Sequence, residues 1–194
     1  MAFGGYDAFD DPYSFAGTDT LINKIELRDP ALLEAFESEM TTLRANEPLP
    51  DGSFDVLHYK RVHYHLFQDV YTWAGECRTV RTAKGGNSFC FPEHIDSEML
   101  KLFRHLANGS CLNAQNSDEF TAASAHFLAE LNAIHPFREG NGRSQLAFMH
   151  LLGGKAGFPL DFSRVRPETF LPAMIESYHG RLEPLIDELR RLLS

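Results

Sequence analysis

The chain has 194 residues, 43% of them hydrophobic, a net charge of −9 and a sequence pI near 5.4. That length suits one domain able to bury about 70% of its unfolded surface without disulfide or metal staples. The acidity and the absence of a basic face argue against nucleic acid, no apolar run reaches membrane length, and Cys77, Cys90 and Cys111 lack metal or redox spacing, so a cytoplasmic protein with reduced thiols is expected.

Residues 1–17 are rich in Gly, Asp and aromatics without period. They read as an N-terminal tail ahead of a domain over 18–194, with Asp11-Pro12-Tyr13 laying aromatics on the domain surface or into a groove. A short helix after Asp19 would turn Leu21, Ile22 and Ile25 inward. Asp29-Pro30 starts the next helix, Asp as N-cap and Pro at the first position. Its apolar positions are Leu32, Leu33, Phe36, Met40 and Leu43, and it ends near Ala45. After the loop at Pro48–Gly52, the pattern predicts a helix from Asp55 to Tyr71 with Leu57, Val62, Leu66, Phe67 and Val70 buried. His58, His63 and His65 do not suit one metal, since 63 and 65 diverge by about 200° on a helix. Trp73 is expected in the core.

One stretch reads as β. Arg78–Thr82 and Ser88–Phe91 are β-prone and flank a turn at Lys84–Asn87, which predicts a hairpin over 78–91, though not of the tightest type. Helical patterns return at 93–107 and from Asn116, where Glu119 three residues on makes a capping-box variant. Phe120, Ala123, Phe127, Leu128, Leu131 and Ile134 give that helix a wide apolar face, with His126 a core or rim residue. Further helices are predicted after Gly142, from Pro167 to His179-Gly180 and over 183–193. The result is all-α, a helical bundle with one small β-hairpin.

The chemistry concentrates in His135-Pro136-Phe137-Arg138-Glu139-Gly140-Asn141-Gly142-Arg143, the loop of a helix–loop–helix over 116–153. Proline disfavours helix in the residue before it, which stops the incoming helix at Ile134 or His135 and fixes an imidazole suited to general-base work. Gly140 and Gly142 let backbone N–H groups approach a ligand. The following helix points its own N–H groups at the same place, a favourable site for phosphate. Glu139 offers the hard oxygen that Mg²⁺ prefers. Arg143 falls in the first helical turn, where the dipole disfavours a cation unless an anion sits alongside.

This nonapeptide resembles the signature of Fic domains, His-x-Phe-x-Asp/Glu-Gly-Asn-Gly-Arg-x-x-Arg. The resemblance extends to Asp11-Pro12-Tyr13, to Leu21-Ile22-Asn23-Lys24, and to Leu66-Phe67-Gln68-Asp69-Val70-Tyr71-Thr72-Trp73-Ala74-Gly75-Glu76. It implies a protein adenylyltransferase, an AMPylator that moves AMP from ATP–Mg²⁺ to a hydroxyl of a target protein. His135 would be the catalytic base, Phe137 the loop's anchor in the core and Glu139 the metal ligand. Gly140, Asn141 and Gly142 would form the anion hole, with Arg143 on the phosphates. The hairpin would be a flap whose Gly86, Asn87, Ser88, Phe89 and Cys90 hold the target segment as an added strand, with Phe89 or Phe91 clamping a side chain. The family's second arginine is replaced by Leu146, which weakens the expectation of ATP as donor and of the usual inhibition. No Ser/Thr-x-x-x-Glu-Gly/Asn inhibitory segment occurs in the chain, which by resemblance suggests a separate small antitoxin or no inhibition. By resemblance, targets range from bacterial topoisomerases, for a toxin, to host proteins, for a secreted effector. The alternatives are transfer of another nucleotide or a phosphocholine-type group, a Doc-like kinase (disfavoured because Gly142 stands where those carry lysine), and a degenerate, non-catalytic Fic-like binding protein.

Overall fold

The computed structural model describes residues 11–109 and 111–194. Of the tail expected over residues 1–17, residues 1–10 lie outside them, and the described part is no loose tail, since Asp11 pairs with Arg138 and Tyr13 packs on Trp73. Regular structure among the described residues consists of helices α1 (Pro30–Ala45), α2 (Val56–Phe67), α3 (Pro92–Ala107), α4 (Ser117–Ile134), α5 (Asn141–Ala156), α6 (Pro167–Tyr178) and α7 (Glu183–Leu192). A two-stranded sheet, β1 (Ala83–Lys84) and β2 (Asn87–Ser88), stands between α2 and α3 in sequence. The all-α expectation with one small hairpin holds.

The central helix is α4. It packs against α3, α5, α6 and α7, while α2 joins α1, α3 and α5 on the other side. Its composition explains this: Phe120, Phe127, Leu128, Leu131 and Ile134 are buried together with the small Ser124 and Ala125, so apolar or small surface faces several neighbours at once. Asn116 caps the helix by accepting the Glu119 N–H at 2.9 Å, and the Glu119 carboxylate accepts the Gln115 N–H at 2.8 Å. The second bond falls one residue before the cap, which makes this a variant of the capping box.

Several expected boundaries move. No helix follows Asp19. The Asn23 side chain instead takes the Leu27 N–H and the carbonyls of Leu21 and Leu27, local bonds that compete with helix formation. Leu21 is buried beside its bridge to Ser14, but Ile22 and Ile25 are exposed. On α1 the buried face is Leu33, Glu37 and Thr41, whereas Leu32 and Leu43 face outward. Leu57 of α2 is likewise exposed. The α2 helix stops at Phe67 rather than Tyr71, and the chain then turns so that Val70, Tyr71 and Trp73 all reach the core. A continued helix would have splayed those three around its axis.

The hairpin pairs only Ala83 with Ser88 and Lys84 with Asn87, around a two-residue Gly85-Gly86 turn with both φ positive. That is the tight turn class the sequence reading set aside. Beyond one further bond, from the Phe89 N–H to the Thr82 carbonyl at 3.1 Å, the outer flanks do not pair because their groups bond elsewhere. The Arg78 N–H donates to the Pro136 carbonyl at 2.8 Å, and the Cys90 N–H to the Ala133 carbonyl at 3.1 Å. Both ends of the hairpin are thereby anchored to the C-terminal end of α4.

Candidate active site

The nonapeptide loop joins α4 to α5 at the middle of the molecule. His135 ends α4 in the left-handed region, φ 49° and ψ 61°, uncommon for a residue other than glycine, though histidine adopts it more readily than most. Its backbone change turns the chain sharply enough for Phe137 to enter the core, where it is fully buried. Phe137 stacks on His63 at 3.7 Å between ring centroids. His63 accepts the Gly75 N–H at Nδ1 and so donates from Nε2 to the Glu139 carbonyl, 3.0 Å away. Asn141 closes the loop from within: its carbonyl oxygen accepts the Phe137 N–H and its amide donates to the Phe137 carbonyl, at 3.0 and 2.8 Å. Its side chain is therefore committed to the loop, and only its main chain can serve an anion.

The two glycines differ in what they permit. Gly140 has φ +81°, and a Cβ there would lie 2.2 Å from the Phe67 ring. Gly142 has nothing within 4 Å of its would-be Cβ, so open space adjoins it. The N–H groups of Asn141, Gly142 and Arg143 form the first turn of α5 and have no intrahelical acceptors. The Gly140 N–H points instead to its neighbour's carboxylate, Glu139 Oε1, at 2.8 Å.

His135 is kept uncharged. Burial drives its imidazole down to about 3, Arg78 and Lys84 push the same way, and a bond between Nδ1 and the Asn132 carbonyl only partly resists. That 3.3 Å contact makes Nδ1 the protonated nitrogen and leaves the basic lone pair on Nε2. The hairpin residue Phe89 covers the ring in a parallel stack, 3.8 Å between centroids and 8° between planes. The hairpin is braced from α6, where the Tyr178 hydroxyl donates to the Ser88 carbonyl at 2.5 Å.

Arg143 is surrounded by fixed partners. It pairs with Glu37 of α1, donates to Thr41 Oγ1 at 3.2 Å and lies 3.6 Å from Glu139 Oε1, with its guanidinium 4.7 Å over the Phe67 ring. The Tyr71 hydroxyl donates to the second Glu37 oxygen. The anion expected beside Arg143 is thus already supplied by the chain. Burial, and then the Glu37 charge, raise the Glu139 carboxyl, against the pull of Gly140 and Arg143. A divalent cation at Glu139 would relieve that opposition, and one carboxylate plus phosphate oxygens is a sufficient set for Mg²⁺. The residues present therefore fit the ion.

Leu146 is half-buried one turn beyond Arg143. It lines a cleft of about 690 Å³ with Thr41, Leu66, Ala147 and His150. Met149 and Leu152 on the same helix are fully buried. His58, His63 and His65 each bond a different backbone carbonyl, those of Pro50, Glu139 and Arg44, and do not converge. Sequence reading missed Glu37, His63 as a loop fastener, Arg78 and Tyr178. Of these, only Glu37 left a trace, as an acid i+4 from Leu33 on a face that turned out to be inward.

A Fic/DOC family model matches residues 53–152. The chain is 49% identical over 189 residues to the "Probable protein adenylyltransferase y4lH" of Sinorhizobium fredii, covering 97% of this chain and 98% of that protein. It is 35% identical to the protein adenylyltransferase VbhT of Bartonella schoenbuchensis across 97% of its own length, but spans 40% of VbhT. Among solved structures it is similar to BepC of Bartonella tribocorum with bound AMPPNP, at TM-score 0.84 and 29% identity over 94% of this chain and 96% of that one. It is also similar to the N-terminal Fic domain of a VirB-translocated effector of Bartonella quintana with bound ADP, at TM-score 0.85 and 31% identity over 94% of each chain. With its motif loop, flap and helical frame in this arrangement, the chain belongs to the Fic/DOC family.

Proposed function

We propose that this chain is a protein adenylyltransferase. The observation that carries the reading is one loop that sets an uncharged, buried imidazole beside the first turn of α5, with Arg143 and Glu139 within 3.6 Å of each other. The donor is ATP, in keeping with the nucleotides in the related structures. The phosphates rest on the N–H groups of the α5 N-terminus and on Arg143, and Glu139 would hold Mg²⁺, which would neutralise phosphate charge. The target hydroxyl gives its proton to His135 Nε2 as its oxygen bonds the α-phosphorus. The bond from that phosphorus to the bridging oxygen breaks, pyrophosphate leaves, and AMP remains on the target. Preorganised donors around the transferring group are what such a reaction requires.

The hairpin holds the target with Gly86 to Phe89 as its rail, since the Cys90 N–H and carbonyl expected to extend it are already committed to Ala133 and Arg78, and Phe89 places the hydroxyl over the imidazole it already stacks on. Leu146 removes one charged contact to the phosphates, a loss of about 1.5–3 kcal/mol, so nucleotide use is weakened and not abolished. Inhibition comes from a separate small antitoxin, a reading supported by the lack of the family's inhibitory segment within these residues. That Cys77, Cys90 and Cys111 form no disulfide with one another supports action in a reducing cytoplasm, bacterial or, after translocation, that of a host.

The test is incubation of the chain with α-labelled and, separately, γ-labelled ATP, Mg²⁺ and bacterial lysate. Protein labelled from α-ATP only, lost in His135→Ala and stronger in Leu146→Arg by about 10-fold or more, is the expected result. Label from γ-ATP would instead make the chain a kinase. Equal labelling by His135→Ala would remove the base from the mechanism.

A further inference from the structure

One residue outside the motif touches the catalytic loop and the flap together. Arg78 is 2% exposed. Its backbone N–H donates to the Pro136 carbonyl at 2.8 Å, its Nε to the His135 carbonyl at 2.8 Å, and its Nη2 to the Ile134 carbonyl at 3.2 Å. Three consecutive carbonyls at the end of α4 are thereby taken by a single residue. Its guanidinium also reaches the hairpin's flanks: Nη1 donates to the Val80 carbonyl at 2.6 Å, on the segment leading in, and Nη2 to the Cys90 carbonyl at 2.6 Å, on the segment leading out.

We infer that Arg78 is a positioning residue for the transfer reaction, a rigid fork that fixes the left-handed turn of His135 and sets the flap's distance from it. The inference rests on the reading of His135 as base and of the hairpin as target rail. The physics favours arginine in particular. A left-handed His135 is held at a cost, and helix-terminal carbonyls gain most from a cationic donor. A planar guanidinium presents several donors in a fixed fork, which an ammonium on a flexible stem cannot reproduce. The Arg78 charge also helps hold the His135 imidazole low, beside burial and Lys84. The Phe89 ring stacked on that imidazole sits one residue from Cys90, so a shift at the Cys90 carbonyl moves the clamp and the base relative to each other.

The experiment compares wild type, Arg78→Lys and Arg78→Met in full-length protein, by amide hydrogen exchange and by α-ATP transfer across pH. In the wild type, amides of residues 82–90 and 134–138 should open as one unit, because one side chain ties them. Both segments should exchange faster in Arg78→Lys while α7 does not. Transfer should drop about 100-fold in kcat, with KM for ATP moving less than about threefold. The acid limb of the rate profile should shift to higher pH in Arg78→Met. Two outcomes would overturn the inference: independent opening of the two segments in the wild type, which needs no variant to fold, or a kcat and pH profile in Arg78→Lys equal to wild type. Absence of transfer in the wild type would count against the adenylyltransferase reading, and the exchange result would still decide whether Arg78 couples flap and loop.

Discussion

His63 and His135 are both uncharged in the folded chain, each driven to about 3 chiefly by burial. In the unfolded chain they take up protons below about 6.5. Unfolding therefore binds protons in this window, and stability is lost as pH falls from about 6.5 toward 3, at up to about 1.4 kcal/mol per pH unit for each histidine. Glu139 acts in the opposite sense, since its raised carboxyl adds stability below its folded pKa. Urea midpoints should accordingly fall between about pH 7 and pH 5, and constant midpoints would mean the imidazoles are not held neutral. Glu37 belongs at the same scale. It occupies the arginine proposed to meet the phosphates and adds to the charge opposing Glu139. Glu37→Gln keeps an acceptor for Tyr71 but removes the charge, so ATP should bind about 3- to 10-fold tighter by calorimetry, a gain of roughly 1 kcal/mol. Weaker binding would instead make Glu37 the group that orients Arg143.

At the scale of elements, the start of α5 is where conformation and packing coincide. Gly140→Ala places a side chain at φ +81° and against Phe67. The left-handed penalty and the overlap together should cost about 2–4 kcal/mol in chemical denaturation. Gly142→Ala has open space and should leave stability within about 1 kcal/mol of wild type or raise it, while its methyl enters the ligand side and weakens nucleotide binding. The same contrast separates what could be read in advance. Asn116, Pro167 and the break at His135-Pro136 are local signals, and the helices begin and end close to them. The hairpin's bounds were misread because its flanking N–H groups bond to α4, a partner more than forty residues away that no β-propensity encodes.

Over the whole molecule, the segment at 11–15 is fastened to the motif loop. Arg138 and Asp11 pair at 2.6 Å with both side chains 6% exposed, and Tyr13 meets Trp73 edge-on at 5.5 Å. Asp11→Ala leaves a charge in a buried place, and breaking such a pair costs about 3–5 kcal/mol. A drop of about 10 °C in Tm follows for a chain this size; a change under about 2 °C would show that the segment does not brace the loop. The chain by itself determined the helical class, the caps, and the nine residues in which a base, a carboxylate, two glycines and an arginine must share one loop, because each of these follows from neighbours in sequence. Only the tertiary structure decided that Glu37 meets Arg143, that Phe89 stacks on His135 and that Arg78 holds loop and flap together. Those contacts join residues far apart in the chain, and a side chain's charge or ring carries no record of which distant partner packing will bring to it.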